Sequence, residues 1–443
     1  MTVARERAVL VKVFPAGAGG RAARGEDALA ELTRLTEAAG GGVVGTVVQH
    51  RDAIDASLYV GRGKADEIHR LATARRAQTV VFDNDLSPAQ VRNLEKIIGV
   101  KVLDRSELIL DIFATRARTA EARLQVELAQ LEYTYPRLRR MWTHLSRQAV
   151  GGIGLRGPGE TQLETDRRLV RKRIVDLKRR IRGIERRHER VVRSRKNEFA
   201  VSLVGYTNAG KTSLLNALTG ADAYVEDKLF ATLDTRTRAW RLPFNMRVLL
   251  SDTVGFVRDL PHHLVTSFRA TLEEALDADL LLHVVDVSAD DVEGQIDAVN
   301  GVLDEIGIGD KPVLIVFNKT DLLAPDADLN VLRYRHPDGL FASAVTGDGL
   351  GAVEDRVLAL LGGPIRRLTI RGPAGDGAWQ AAVARHAADV RREFADGQTS
   401  IHTSLPQHLA DYLLREYPQL EVTLHPLNDR SQAESRGQRR PAS

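Results

Sequence analysis

The chain has 443 residues, 43% of them hydrophobic, which is enough for about three packed domains. It contains no cysteine, which excludes a disulfide framework and thiolate metal sites and fits a reducing compartment. Net charge is only +4, yet between Arg137 and Lys196 about 20 Lys and Arg stand against about 6 Asp and Glu, so a localised anionic partner such as nucleic acid is expected.

The first residues, Met-Thr-Val-Ala-Arg-Glu-Arg, lack the basic-then-apolar order of a signal peptide, and no apolar run approaches the roughly 18 residues of a membrane span. Residues 1–105 alternate apolar runs (Ala8–Phe14, Val43–Val48, Thr79–Phe82, Val100–Leu103) with helical patterns (Glu26–Ala39, Lys64–Ala74, Pro88–Ile98). That alternation predicts a small parallel α/β domain, with Ser87 capping a helix whose first residue is Pro88. Gly61-Arg-Gly-Lys64 precedes a helix and reads equally as an anion-binding turn or an ordinary one. Asp83-Asn84-Asp85 at a strand end reads as a polar loop ahead of a ligand site.

Residues 106–197 read as a long helical hairpin. A helix starting near Ser106 carries Leu124, Leu128, Leu131, Tyr135 and Leu138 at spacings of four and three. After a glycine-rich break, Val170, Ile174, Leu177, Ile181 and Ile184 repeat the pattern, so an antiparallel coiled coil with a flexible tip is expected. The tip carries Trp142, His144, Arg147 and Arg156 among glycines, a set suited to stacking on bases and gripping RNA phosphates.

Residues 198–363 predict a doubly wound sheet with strands at Phe199–Val204, Arg247–Ser251, Leu280–Val285 and Val313–Phe317. Residues 364–427 read as a small α/β domain: strand Arg367–Ile370, helix Ala378–Phe394, strand Thr399–His402, helix Gln407–Tyr417, strand Leu420–His425. The polar stretch 428–443 has the composition of a disordered tail.

The chemistry concentrates after the strand Val201–Val204. Gly205-x-x-x-x-Gly210-Lys211-Thr212 is a P-loop in which the backbone from Gly205 through Asn208 and Ala209 to Ser213 can face one anion. Lys211 reaches the β- and γ-phosphates, and the Thr212 hydroxyl can ligand Mg²⁺. Asp252-Thr-Val-Gly255 supplies an acid beside the metal, through a water, and a Gly255 N–H that senses the γ-phosphate. Asn318-Lys319-Thr320-Asp321 offers a carboxylate to guanine N1 and N2, and Ser343-Ala344 a backbone N–H to guanine O6. Four such motifs in this order predict a guanine-nucleotide domain binding GTP and GDP.

Between the P-loop and Asp252, Phe230 and Thr232 are assigned to the nucleotide site, with Thr232 closing on Mg²⁺ and the γ-phosphate; Thr235 and Thr237 compete for that role. Lys211, Thr232 and Gly255 make up the expected catalytic set. The residue after Asp-x-x-Gly is Phe256, where some GTPases place a water-orienting glutamine, so slow intrinsic hydrolysis stimulated by a partner is expected.

Taken together, Tyr59-Val-Gly-Arg-Gly-Lys64, Arg156-Gly-Pro-Gly-Glu-Thr-Gln-Leu-Glu-Thr-Asp166, Leu229-Phe-Ala-Thr-Leu-Asp234 and Asp252-Thr-Val-Gly-Phe256 resemble the HflX-type GTPases of the translation-factor-related class. The resemblance covers nearly the whole chain. It implies a GTPase that binds rRNA of the large ribosomal subunit, with the hairpin tip near the peptidyl-transferase region, and that separates stalled or stressed ribosomes. It also implies ATP binding by the N-terminal domain, which would involve Gly61–Lys64. Leu233-Asp234-Thr235-Arg236 departs from the family's Leu-Asp-Pro-Thr after the switch threonine. A monomer in the cytoplasm is expected, with a peripheral place at the membrane left open. Two other readings stand beside this one: a guanine-nucleotide-dependent regulator of a protein partner, and an ATP-dependent RNA remodeller.

Overall fold

The computed structural model describes residues 6–15, 29–141, 158–194, 198–221, 229–230, 235–258, 273–387 and 389–425. The chain begins with β1 (Glu6–Pro15), α1 (Ala30–Ala38), β2 (Gly41–Arg51), α2 (Arg62–Arg75), β3 (Thr79–Phe82), α3 (Pro88–Ile98), β4 (Lys101–Leu103) and α4 (Arg105–Arg116). The four strands form an all-parallel sheet in the order β2-β1-β3-β4. Alternation along β1 sends Val9, Val11 and Val13 towards α2 and α3, and Ala8 and Leu10 towards α1 and α4. The start of α3 is the expected cap in full: Ser87 Oγ accepts from the Gln90 N–H, and Gln90 Oε1 accepts from the Ser87 N–H.

The helix expected to run on from Ser106 is two helices. α4 ends at Ala117, whose backbone is extended, and Thr119 Oγ1 accepts from the Ala122 N–H to start α5 (Ala120–Met141). A threonine cap outcompetes helix continuation here. Leu124, Leu128 and Leu131 of α5 cluster with Ile174, Leu177 and Ile181 of α6 (Pro158–Ser194), as the heptad spacing predicts. Two exposed ion pairs, Arg173–Glu127 and Lys178–Glu132, both at 2.7 Å, flank that seam and add little. The opposite side of α5 roots in the first sheet. Asp104, 1% exposed, accepts from the Tyr133 hydroxyl at 2.7 Å and from Arg137 Nη2 at 2.9 Å. Burial raises the Asp104 pKa, and those two donors work against the rise. Trp142, His144, Arg147 and Arg156 lie outside the described residues.

Next come β5 (Phe199–Gly205), α7 (Lys211–Thr219), β6 (Arg236–Leu242), β7 (Met246–Asp252), α8 (Glu273–Leu276), β8 (Leu280–Asp286), α9 (Val292–Glu305), β9 (Val313–Asn318), α10 (Asn330–Arg335), β10 (Leu340–Phe341) and α11 (Leu350–Gly362). Their sheet runs β10-β9-β8-β5-β7-β6 and is parallel except for β6, which pairs antiparallel with β7. β6 escaped the sequence reading because it is a charged edge strand, with Trp240 and Leu242 alone turned fully inward.

The last sheet contains β11 (Ile365–Pro373), α12 (Gly377–His386), β12 (Arg391–Ala395), β13 (Gln398–Pro406), α13 (Gln407–Glu416) and β14 (Glu421–His425). It is antiparallel, in the order β12-β13-β11-β14. The helix expected over Ala378–Phe394 stops at His386, and its second half is β12. Asp396 and Gly397 take φ of 51° and 71°, the paired left-handed conformation of a tight hairpin turn, and they fold β12 back onto β13.

Candidate nucleotide site

The P-loop leaves the C-terminal end of β5 and closes on the first turn of α7. Gly210 has φ of 89°, and a Cβ there would stand 2.3 Å from Asn318 Nδ2. Only glycine can stand at this point of the loop. Asn208 also adopts a left-handed φ of 63°. Ser213 is the third, half-buried residue of α7.

Lys211 is 6% exposed, and its Nζ donates to the carbonyls of Gly205 at 3.1 Å and Tyr206 at 2.9 Å. Burial pushes its pKa down to about 8, with the Asp252 charge pulling the other way. The phosphate-binding cation therefore titrates near physiological pH until an anion arrives. Nucleotide affinity should fall about tenfold per pH unit above roughly pH 8, and binding at pH 8.5 should take up a proton. Calorimetry of GDP binding in buffers of different ionisation enthalpy measures that proton directly; no uptake at pH 8.5 would refute the assignment.

Thr212 Oγ1 donates to Asp252 Oδ2 at 2.6 Å, and Asp252 is fully buried at the end of β7. A hydroxyl and a carboxylate side by side at the phosphate end of the loop are hard oxygens of the kind that suit Mg²⁺, directly or through water. Gly255 lies against the P-loop: a Cβ would be 2.7 Å from Thr207 Cα and 2.9 Å from Lys211 Nζ. The Thr207 N–H donates to Phe256 O at 2.7 Å, and the Phe256 N–H to Gly205 O at 3.1 Å, so the Asp-x-x-Gly loop is zipped to the P-loop. Phe256 is 2% exposed and lies in the core that also holds Leu32, Ile109 and Phe113. It presents no polar group for a water.

Thr232 lies outside the described residues. The Phe230 side chain lies in the core beside the P-loop. It is 2% exposed and packs edge-on against Phe113 of α4, centroids 4.7 Å apart. Phe230 reaches the P-loop through its main chain, whose N–H donates to Thr207 Oγ1 at 2.9 Å.

At the base end, Asn318 acts as a staple. Its Nδ2 donates to Ala209 O at 2.9 Å, and its Oδ1 accepts from the Ala344 N–H at 3.0 Å. The structure thus places the Ala344 N–H, expected for guanine O6, on Asn318. Lys319 takes φ of 67° and pairs with Asp286 at 2.7 Å. Asp321 Oδ1 accepts from Ser343 Oγ at 2.5 Å, while that hydroxyl oxygen accepts from the Val345 and Thr346 N–H groups. The Ser343 proton is therefore committed to Asp321, and the carboxylate is oriented.

One group of residues had no sequence signal. The Tyr206 hydroxyl, inside the P-loop, donates to Glu31 of α1 and accepts from the Arg258 N–H at 2.9 Å. Arg105 of α4, 3% exposed, donates to Glu31, to Asp83 Oδ1 at 2.5 Å and to Arg258 O at 2.7 Å. Burial lowers the guanidinium pKa, and Glu31 and Asp83 more than reverse the effect. The first sheet thus grips both the P-loop and the segment after Gly255. Asp83, Asn84 and Asp85 are a structural polar loop, each held by a neighbour: Arg105, Val13 and Ser106 respectively. Gly61 caps α2, with its N–H on Gln49 Oε1 at 3.3 Å.

A mostly parallel sheet with these loops gathered at the carboxyl ends of its strands is the nucleotide domain of a P-loop GTPase. Family models match at residues 26–114 (GTP-binding GTPase N-terminal), 116–195 (GTP-binding GTPase Middle Region) and 200–319 (50S ribosome-binding GTPase). The chain is 45% identical over 384 residues to GTPase HflX of Escherichia coli, covering 85% of this chain and 89% of that one. It is 48% identical over 322 residues to GTPase HflX of Caldanaerobacter subterraneus, covering 72% and 73%. A solved complex of SsGBP and GDP covers 80% of this chain and 98% of its own at 25% identity, with a TM-score of 0.45. The chain belongs to the HflX family of GTPases, and it hydrolyses GTP to GDP and phosphate. No helix among the described residues is long and apolar enough to cross a membrane. The comparisons lend no support to ATP binding at Gly61–Lys64.

Proposed function

We propose that the chain is a GTP-driven switch that binds rRNA of the large ribosomal subunit through its basic hairpin and separates stalled ribosomes into subunits. The observation that carries this reading is a continuous polar path. The hairpin roots at Asp104 through Tyr133 and Arg137, and the next residue, Arg105, holds Glu31 and the Arg258 carbonyl beside the P-loop. A force on the hairpin has a short route to the nucleotide loops. Residues 1–197 form the ribosome-facing half in this reading, 198–363 the timer and 364–427 an appended unit.

Within the site, Lys211 and the Gly255 N–H stabilise charge on the γ-phosphate, and Thr232 closes over it. Asp321 selects guanine, and Asn318 holds the base loop against the P-loop. Thr212 and Thr232 would hold Mg²⁺, with Asp252 acting through a water; the ion supplies neutralisation of the phosphate charge when bound. With Phe256 buried, no side chain there orients a water, so the ribosome completes the site.

The GTPase rate with and without purified large subunits tests the reading. Stimulation of about 10²-fold or more, the size of one added catalytic group, is expected. Fast single-turnover hydrolysis by the protein alone would sink it. Trp142→Ala combined with Arg156→Ala should abolish the stimulation and leave basal hydrolysis unchanged; full stimulation in the double variant would remove the tip from the mechanism. Sucrose gradients of intact ribosomes incubated with protein and GTP report separation itself.

A further inference from the structure

The family models stop at residue 319, and the antiparallel sheet of β11–β14 has no place in the reading above. Its strands and helices follow the order strand, helix, strand, strand, helix, strand, with β11 and β13 central. One side is covered: Leu368, Ile370, Ile401 and Leu405 pack under Trp379 and Val383 of α12 and Leu413 of α13. That helical layer meets the nucleotide domain, where His386 Nδ1 lies 3.0 Å from Phe244 O and the His408 ring 4.6 Å from that of Phe199. The other side of the sheet therefore faces away, and no described residue covers it.

That open side is polar throughout its middle. Thr369 is its hub, with its Oγ1 2.8 Å from both His402 Nδ1 on β13 and His425 Nε2 on β14. Arg367 and Arg371 stand two residues either side of Thr369 on β11, so they share its face. Arg391 of β12 is in register with His402 and joins them. Two carboxylates complete the face: Glu393, 3.5 Å from His402, and Glu421, in register with Arg371. Among the described residues this face thus carries three guanidinium groups and two carboxylates, and each carboxylate has a basic neighbour.

The core of a protein interface is apolar and depleted in charge, and this face is neither. Arginines interleaved with hydroxyls suit a phosphodiester backbone. Four-stranded sheets that read single-stranded RNA do so with aromatic residues on their central strands; on this face those strands carry only the His402 ring, whose Nδ1 lies 2.8 Å from Thr369 Oγ1. We propose that the open face of the C-terminal sheet is a second RNA contact, which grips the sugar–phosphate backbone without reading bases. The proposal uses the ribosomal reading only to choose RNA as the polyanion.

The test is fluorescence anisotropy of the full chain on two fluorescein-labelled RNA hairpins of unrelated sequence, titrated over a series of salt concentrations. Arg367→Gln combined with Arg371→Gln should weaken both RNAs equally. It should also lower the slope of log affinity against log salt by about 0.7–0.9 per lost phosphate, or about 1.4–1.8 in all. Basal GTP hydrolysis and melting temperature should stay at wild-type values. Unchanged affinity and slope in the variant, with wild type binding well, would overturn this proposal alone. A loss confined to one sequence would overturn backbone reading. Wild-type RNA affinity retained while co-sedimentation with ribosomal subunits is lost would assign the face to a ribosomal protein and overturn the RNA contact. A wild type that binds neither hairpin would overturn the RNA contact and the ribosomal reading together.

Discussion

Asp321→Asn should lower GTP affinity by about 10²–10⁴-fold, the cost of two charge-assisted hydrogen bonds. It should also shift preference to xanthosine triphosphate. Guanine presents two donors, N1–H and the N2 amino group, and a carboxylate accepts both. The variant's amide cannot choose its orientation. Ser343 Oγ accepts from two backbone N–H groups and must donate its proton, so the amide oxygen takes the place of Oδ1. The amide NH₂ then takes the place of Oδ2 and meets guanine's own donors. Xanthine carries a carbonyl at that ring position and accepts instead. Competition titrations of GTP, inosine triphosphate and xanthosine triphosphate against a fluorescent GDP measure all three affinities. Unchanged GTP affinity would refute the guanine assignment.

The site was legible where its chemistry is local. Gly210, Lys211 and Thr212 must be neighbours because one loop wraps one phosphate chain, and the same holds for Ser87 and Gln90 at the head of α3. Three strands were missed for different reasons, and β10 is only two residues long. β6 is an edge strand whose arginines mask its alternation, and β12 is recognisable only when Asp396-Gly397 is read as a hairpin turn. The grip of the first sheet on the nucleotide loops could not be read at all. Tyr206 and Glu31 are 175 residues apart, and no periodicity marks a single long-range polar contact. Phe230 shows the same limit: its edge-on contact with Phe113 joins residues 117 positions apart, and no local motif marks it. Local motifs identified the reaction; the contacts that tie its loops to the first sheet join residues too far apart in sequence for any motif to mark them.

Lys211→Ala should reduce kcat on the order of 10²–10³-fold and remove most stabilisation by GDP, yet leave the nucleotide-free fold intact. The two effects separate because Lys211 is costly to the empty protein. Its folded pKa of about 8 lies below the ordinary 10.5, so at pH 7 the folded state holds a buried cation that the unfolded chain carries in water. Two carbonyl hydrogen bonds, from Gly205 and Tyr206, offset part of that cost and disappear in the variant. The sign follows from proton counts. Between about pH 8 and 10.5 the unfolded chain still binds the proton that the folded chain has released, so wild-type stability rises with pH across that window. The variant has no such group and should lack the rise. Urea midpoints of nucleotide-free protein at pH 7 and pH 10 measure the difference. Parallel pH dependence in both proteins would mean that Lys211 is solvated in the empty site, and the proton uptake predicted for GDP binding would fall with it.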